Sequence, residues 1–554
     1  MKNFAKLFVI AAIAAAIGFA VIACDNPGGT IGGEEPVPST HWSITWYLNG
    51  GFIFDSQKGY YPTQIKKGEV LKNPFDYDDI NPAQSSYTFE KWYADPNLSV
   101  PYDFSKPVNA DLNLYAGWFL GQTQGEVVPG TSLKAKLDYV TNMAQGEKTK
   151  TYVIYVDEDE AIDPYTLKFG PSIDKNITVI LHGRDVEKVV SLKSDGAMFT
   201  VGNCYTLVLD RNITLKGRDN NNATMINVEK EGKLEMRFGS KITGNNKSWS
   251  TGGAVYVLGT FTMNGGKISD NTAMERAGGV YVGGGSFTMN GGEISGNIAK
   301  AASINSGGGG VYLNLANSSF TMNGGKISGN VAEGHDGGGG VMVGYVANSG
   351  NNKTTFTMNG GEISGNEALG IMIDANGLRN YVGSSGGGVL VCSPHEFIMN
   401  GGRISGNKAI GSGKTINNRD AIAYGGGVAV RASGSFIMNG GEIFGNTAQP
   451  YGTAVSYGGG VYIQSYTSNP SGTHITAKFR MVNGTIYGSN ASASLRNTAQ
   501  SKAALVASTE NPSVAMGFAV ADSEYGTFSG STWIKKGDLG SSDNTIRVVN
   551  GNLQ

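Results

Sequence analysis

"FTMNGGKISGN" occupies residues 320–330. Nearly the same eleven letters return as "FTMNGGKISDN" from Phe261, "FTMNGGEISGN" from Phe287 and Phe356, "FIMNGGRISGN" from Phe397 and "FIMNGGEIFGN" from Phe436. Phe479 opens a looser seventh copy, and successive phenylalanines are 26, 33, 36, 41, 39 and 43 residues apart. A period in that range marks a solenoid, in which a unit buries its apolar face only against its neighbours.

A second phrase precedes each phenylalanine: "GGAVYV" at 252, "GGVYV" at 278, "GGGVYL" at 308, "GGGVMV" at 338, "GGGVLV" at 386, "GGGVAV" at 425 and "GGGVYI" at 458. Each unit therefore has three short β-like stretches, V-Y-V, F-T-M and K-I-S, and the shortest unit has no room for a regular helix. This predicts an all-β parallel β-helix, with equivalent strands of successive coils about 4.8 Å apart and like residues stacked on like. The period-2 apolar set, Val280, Val282, Phe287, Met289, Ile294 and their counterparts, should fill the interior. The methionine stripe reads as core rather than as a metal or redox site. The asparagines of N-G-G (Asn264, Asn290, Asn323, Asn359, Asn400, Asn439) and of G-N (Asn271, Asn297, Asn330, Asn366, Asn407, Asn446) should stack at coil corners and bond along the stack. Looser coils read from Thr166, Tyr205 and Leu234.

One letter of the phrase keeps changing. In consecutive units it is Lys267, Glu293, Lys326, Glu362, Arg403 and Glu442, alternating in sign. Stacked at strand spacing, opposite charges attract, and a slip by one coil would set like against like. The ladder is expected to be structural and to specify register. It also argues against catalysis, because a cation separates each glutamate of the column from the next, whereas acid–base chemistry needs carboxylates in pairs. Asp270, Asp336, Asp374 and Asp420 fall in loops of unequal length.

The middle residue of V-Y-V should face outward, and Tyr256, Tyr281 and Tyr312 fall on consecutive coils. Three such rings offer flat faces and hydroxyls suited to sugars or an extended peptide. They are the expected ligand-binding residues.

The chain has 554 residues, 83 of them glycine, and a formal net charge of −2, which gives no electrostatic case for nucleic acid. Lys2 and Lys6 precede an apolar run, Leu7–Ala23, that stops at Cys24. "VIAC" at 21–24 resembles the lipobox of bacterial lipoproteins, with Val21 at the position usually held by Leu. That resemblance implies a signal peptide over 1–23, cleavage, and a lipid on Cys24. Residues 24–41, rich in Gly and Pro, read as a flexible tether. Cys204 and Cys392 lie on different units and should be free thiols. The five histidines are scattered, so no metal site and no cofactor is expected.

Residues 42–119 differ in texture. "WSITWYLNGG" (42–51) is an alternating strand running into an Asn-Gly turn, and "YTFEKWYADPNLSVPYDFSKPVNADLNLYAGW" spans 87–118. Asn49, Gly50, Gly51, Phe89, Trp92, Tyr93, Pro101, Tyr102, Asp103, Phe104, Leu112, Leu114, Tyr115, Ala116 and Trp118 follow a pattern that resembles the Listeria–Bacteroides repeat, or internalin-type B-repeat. The resemblance implies a small β-grasp-like spacer or interaction module of secreted bacterial surface proteins, with its aromatics as core. Residues 120–163 then read as linker and N-terminal cap, with an amphipathic helix around "TSLKAKLDYVTNMAQ". The repeats span 164–490, and 491–554 read as C-terminal coils and cap. In overall form the repeats resemble right-handed β-helix surface proteins and the pectate-lyase-like family, which implies right-handed winding.

Together these features lead to the expectation of a lipid-anchored protein of the bacterial cell envelope, on the outer membrane and exposed at the cell surface. It would be a non-catalytic, adhesin-like binding scaffold. Its partners would be the membrane, through the lipid, and host or environmental glycans or surface proteins. The alternative is a polysaccharide lyase or hydrolase on the same fold.

Overall fold

A computed structural model describes residues 40–554 apart from 48–50, 54–59, 73–79, 83–86, 95–100, 121–124, 170–173, 248–251, 301–306, 315–316, 335–336, 345–352, 374–378, 382, 414–420, 432, 455, 465, 468–473, 476, 500–504, 509–521, 530–531, 540–541 and 543. The expected signal peptide, Cys24, most of the tether, Asn49, Gly50, Asp336, Asp374 and Asp420 lie outside the described residues.

The repeats form a parallel β-helix. The V-Y-V, F-T-M and K-I-S stretches build sheets of 11, 14 and 13 strands. Register is kept residue for residue: Phe287 pairs with Phe320, Met289 with Met322, Ile294 with Ile327. Phenylalanine rings stack from Phe261 to Phe479 with centroids 4.7, 4.6, 4.7, 4.8, 4.8 and 5.0 Å apart. These columns, with the Met, Ile and inward Val residues, are fully or almost fully buried and form one continuous core.

A fourth sheet, of eight strands, was not foreseen. In its last six strands, each after an Asn corner, the buried member is Ala273, Ala299, Ala332, Ala368, Ala409 or Ala448, and in the first two it is Asn221 and Lys247. The chain then turns into the next V-Y-V strand through the glycine cluster. A Cβ on Gly309 would lie 2.5 Å from the Gly339 carbonyl and 2.6 Å from the Val331 backbone, so the corner is closed by backbone packing on backbone.

The two asparagine columns differ. The G-N column is wholly buried and runs Asn271 to Asn497, each side chain donating to the next coil at 2.9–3.0 Å. Each acceptor oxygen also takes the backbone N–H of the preceding asparagine, as Asn330 Oδ1 does for Asn297 at 3.0 Å. The N-G-G column is more exposed and donates in the opposite direction, as Asn323 Nδ2 to Asn290 Oδ1 at 2.8 Å.

The solenoid starts earlier than the expected boundary at 164. Glu126–Val127 already pairs in parallel with Thr149–Val156, so the segment read as linker and cap contains the first three solenoid strands, the last two being Thr149–Val156 and Glu160–Ile162, which pair with later coils. Between the first and second of these strands, helix Leu133–Met143 buries Leu133, Leu137 and Val140 against the open end. Ser132 caps it, and the Glu160 carboxylate accepts from Leu133 N at 2.9 Å. At the other end the parallel stack passes into antiparallel strands, Asp522–Ser529 against Thr532–Asp538 and Gly484–Ile486 against Ile546–Val549. No helix among the described residues is long and apolar enough to cross a membrane.

The small module has a four-stranded sheet in the order Tyr60–Lys66, His41–Tyr47, Leu112–Leu120, Tyr87–Tyr93, with a parallel central pair. Trp46 and Trp92 meet edge to face at 4.7 Å in a core shared with Ile44, Leu114 and Ala116. Phe238 of the solenoid belongs to the same core. It is an extra residue: Met236 and Lys241 are separated by "RFGS", where Met263 and Lys267 are separated by "NGG". Its ring lies over Gly265, where a Cβ would come within 2.3 Å.

The charge ladder stacks in register from Lys267 to Glu442. Ion pairs close two by two: Lys267–Glu293 at 3.3 Å, Lys326–Glu362 at 3.2 Å and Arg403–Glu442 at 3.4 Å. The alternation ends upstream, where Lys241 is the register partner of Lys267.

Two outcomes follow from these columns. Asn330→Ala removes the acceptor for the Asn297 side chain and backbone N–H, and should lower stability by roughly 2–4 kcal/mol in urea unfolding, against less than about 1 kcal/mol for Asn323→Ala in the outer column. Glu362→Lys stacks cations at 326, 362 and 403. Its cost should be about 1 kcal/mol at low ionic strength and shrink in molar salt.

Candidate functional site

The three expected tyrosines do stack. Tyr256 and Tyr281 lie 5.1 Å apart, and Tyr281 and Tyr312 lie 5.6 Å apart. Accessibility is a different matter. Tyr281 is 4% exposed and Tyr312 is 0% exposed, so the open strip expected from the sequence does not exist at these two positions. With Met342, Leu390, Cys392 and Ala429 they form a second, outer apolar cluster on the back of the V-Y-V sheet. Ala277 packs into it, the Arg276 guanidinium lies 5.8 Å from the Tyr312 ring centre, and the Asn314 amide donates to the Tyr281 hydroxyl at 2.8 Å. Further along, Tyr424 packs 4.7 Å from Tyr462, and burial pushes the Tyr424 phenol up to about 12.

Tyr256 is the end of the stack and is only partly buried. Its partner on the preceding coil is Asn227, and beyond that Thr200. A tyrosine ring reaches well past a short amide, so its distal part overhangs space. That space is a cavity of about 390 Å³ lined by Tyr256, Asn227, Glu229, Thr224, Asn222 and Lys247, with Ala223, Val228 and Leu258.

Lys247 gives the cavity its charge. It is 9% exposed, with Nζ 3.4 Å from Thr224 Oγ1. Burial lowers its ammonium to about 8, and the Glu275 carboxylate works the other way. Register explains how a lysine comes to be there. Asn246 pairs with Thr272, which puts Lys247 level with Ala273 at the head of the buried alanine column. The surrounding groups are held by their own bonds. Asp195 accepts from Asn222 N and Nδ2 at 2.6 and 2.7 Å. Thr224 Oγ1 donates to Gly252 O at 2.7 Å, and Lys168 pairs with Glu229 at 2.6 Å.

Only Tyr256 of this site was anticipated. Lys247 had a legible signal, since "GNNK" places a charge where "DNTA" and "GNIA" place alanine. Asn222, Thr224, Asn227 and Glu229 had none, because their coil lacks the repeated phrase. The anticipated ladder residues occupy a different face and are held in their mutual ion pairs.

Upstream, the N-G-G corner column is continued by Arg237, Asp210, His182 and Tyr155. His182 Nδ1 bonds Asp210 Oδ2 at 2.9 Å. Burial works to raise the Asp210 carboxyl, but the His182 bond and the Arg237 charge hold it below the ordinary carboxylate range. Among the described residues no group of three or more His, Cys, Asp and Glu side chains could hold a metal ion. Cys204 and Cys392 are not joined in a disulfide.

Comparison with known proteins bears on the module. Residues 51–117 match the Listeria-Bacteroides repeat domain. No curated protein and no solved structure matches the chain.

Proposed function

We propose that this is a lipid-anchored bacterial envelope protein that acts as a non-catalytic binding scaffold, and that the Tyr256–Lys247 cavity takes an acidic saccharide. The observation that carries the reading is a partly buried aromatic ring beside a buried cation, in a cavity of about 390 Å³. A sugar ring can lie along the apolar part of Tyr256 while its carboxylate meets Lys247. Asn222, Asn227 and Thr224 supply amide and hydroxyl partners for its hydroxyls. A lysine shielded from water gains more from an anion than one on an open surface. The solenoid is inferred to wind right-handed, in the pectate-lyase-like manner, on the crossover rule for parallel strands. The charge ladder supports a non-catalytic role, because its carboxylates are separated by cations in register.

Titration of the full chain with acidic oligosaccharides, such as oligogalacturonate, tests this reading. Binding should be strongest below the Lys247 value of about 8 and fall as pH rises through it, since the cation is then lost. Lys247→Met and Tyr256→Ala should each weaken binding by about tenfold or more, and molar salt should do the same. Release of unsaturated or reducing ends, with or without calcium, would instead identify a polysaccharide lyase or hydrolase.

Anchorage is tested separately. Lys2, Lys6, the apolar run and "VIAC" lead us to expect an acylated Cys24 as the mature N-terminal residue. Mass spectrometry of the native N-terminus should find it, and a soluble, unmodified protein beginning elsewhere would refute the anchor.

A further inference from the structure

A second recess lies where the small module meets the solenoid. Its module wall is Tyr47, Asn113 and Tyr115. Trp46 and Leu114 are buried in the module core, so the alternation of a strand turns Tyr47 and Tyr115 to the opposite face. The two are register partners on parallel neighbouring strands, with rings 4.9 Å apart and 8° from parallel. The solenoid wall is Glu293, Lys326, Ser328 and Glu362, and its floor is Gly292 and Gly325 of two N-G-G corners. Both glycines have positive φ, 85° and 84°, and neither puts a side chain into the recess. Phe238, seated in the module core, also lines it.

The charges on this wall are already matched within the solenoid. Lys326 pairs with Glu362 at 3.2 Å, and Glu293 pairs with Lys267 at 3.3 Å. A charged ligand would be stripped of water without meeting an unbalanced countercharge. A neutral ligand rich in hydroxyls meets the opposite situation. Carboxylates already in ion pairs still accept hydrogen bonds, the Lys326 ammonium and the Asn113 amide donate, and stacked phenols offer apolar edges. The recess holds about 210 Å³, below the range of about 300–1,000 Å³ usual for drug-sized ligands, so it admits one ring rather than a chain. We propose that this seam binds a single neutral pyranose residue of a saccharide, held between Tyr47 and Tyr115 of the module and the Glu293–Lys326–Glu362 segment of the ladder. The inference is independent of the acidic-saccharide reading, because the recess shares no residue with the Tyr256 cavity.

The test is calorimetric titration of the full chain with the methyl glycosides of glucose, galactose, mannose and N-acetylglucosamine. Saturable binding of at least one is expected, little changed between low and high salt, with an upward shift of the melting midpoint as the glycoside is added. Ser328→Trp, which fills the recess from the solenoid side and leaves the module's own residues unchanged, should weaken binding by about tenfold or more, and Tyr115→Ala should do likewise. Lys247→Met should leave it unchanged. The proposal is overturned if none of the glycosides binds, if binding survives Ser328→Trp in a protein of unchanged melting profile, or if Lys247→Met abolishes it, which would place the sugar in the other cavity.

Discussion

Everything in this molecule follows from the spacing of parallel strands. Backbone hydrogen bonds hold successive coils about 4.8 Å apart, so a residue has no choice about its neighbours above and below. At the G-N corner the constraint is strictest. Each buried asparagine accepts two bonds from the coil before and donates two to the coil after, one from its backbone N–H and one from its side-chain amide, as Asn330 does between Asn297 and Asn366. Another side chain there would leave a backbone N–H buried without a partner, at a cost of about 1–3 kcal/mol. The invariance of the phrase is therefore a consequence of burial. The length of the intervening segments is not, because these lie outside the stack.

Chemistry appears where the phrase breaks. Lys247 stands at the head of a column of buried alanines and is desolvated because the register allows it no other place. Tyr256 keeps a partly open ring because its stack ends there and the next residue down is Asn227. Phe238 is one residue too many at a corner that elsewhere is N-G-G, and it projects into the module core. Both recesses border such a departure.

The charge ladder has two consequences at once. Pairing in twos satisfies the register requirement locally, and it leaves a wall that is polar yet electrically balanced. The Tyr256 cavity holds a buried lysine, while the carboxylate on its wall, Glu229, is paired with Lys168. The two recesses are thus sorted by charge, although the chain as a whole carries a formal charge of only −2.

The repeated phrase by itself determined the parallel β-helix, its Phe, Met and Ile columns, the asparagine corners and the alternating charges. Identical letters in identical order within the phrase stack like on like, which buries the Phe, Met and Ile of every coil in one core. The pattern of Trp92, Leu114 and Ala116 likewise determined the small module, and its aromatic core is where the sequence put it. Tertiary structure alone decided accessibility. Period-2 alternation says which way Tyr281 points, but whether that side is wet depends on Ala277 and Asn314, which come from segments without a repeating pattern. The fourth sheet stayed hidden because a strand two or three residues long, marked by one alanine, carries too little periodicity to be read. The seam between module and solenoid stayed hidden because it joins Tyr47 and Tyr115 to residues far along the chain, and no local pattern encodes that distance.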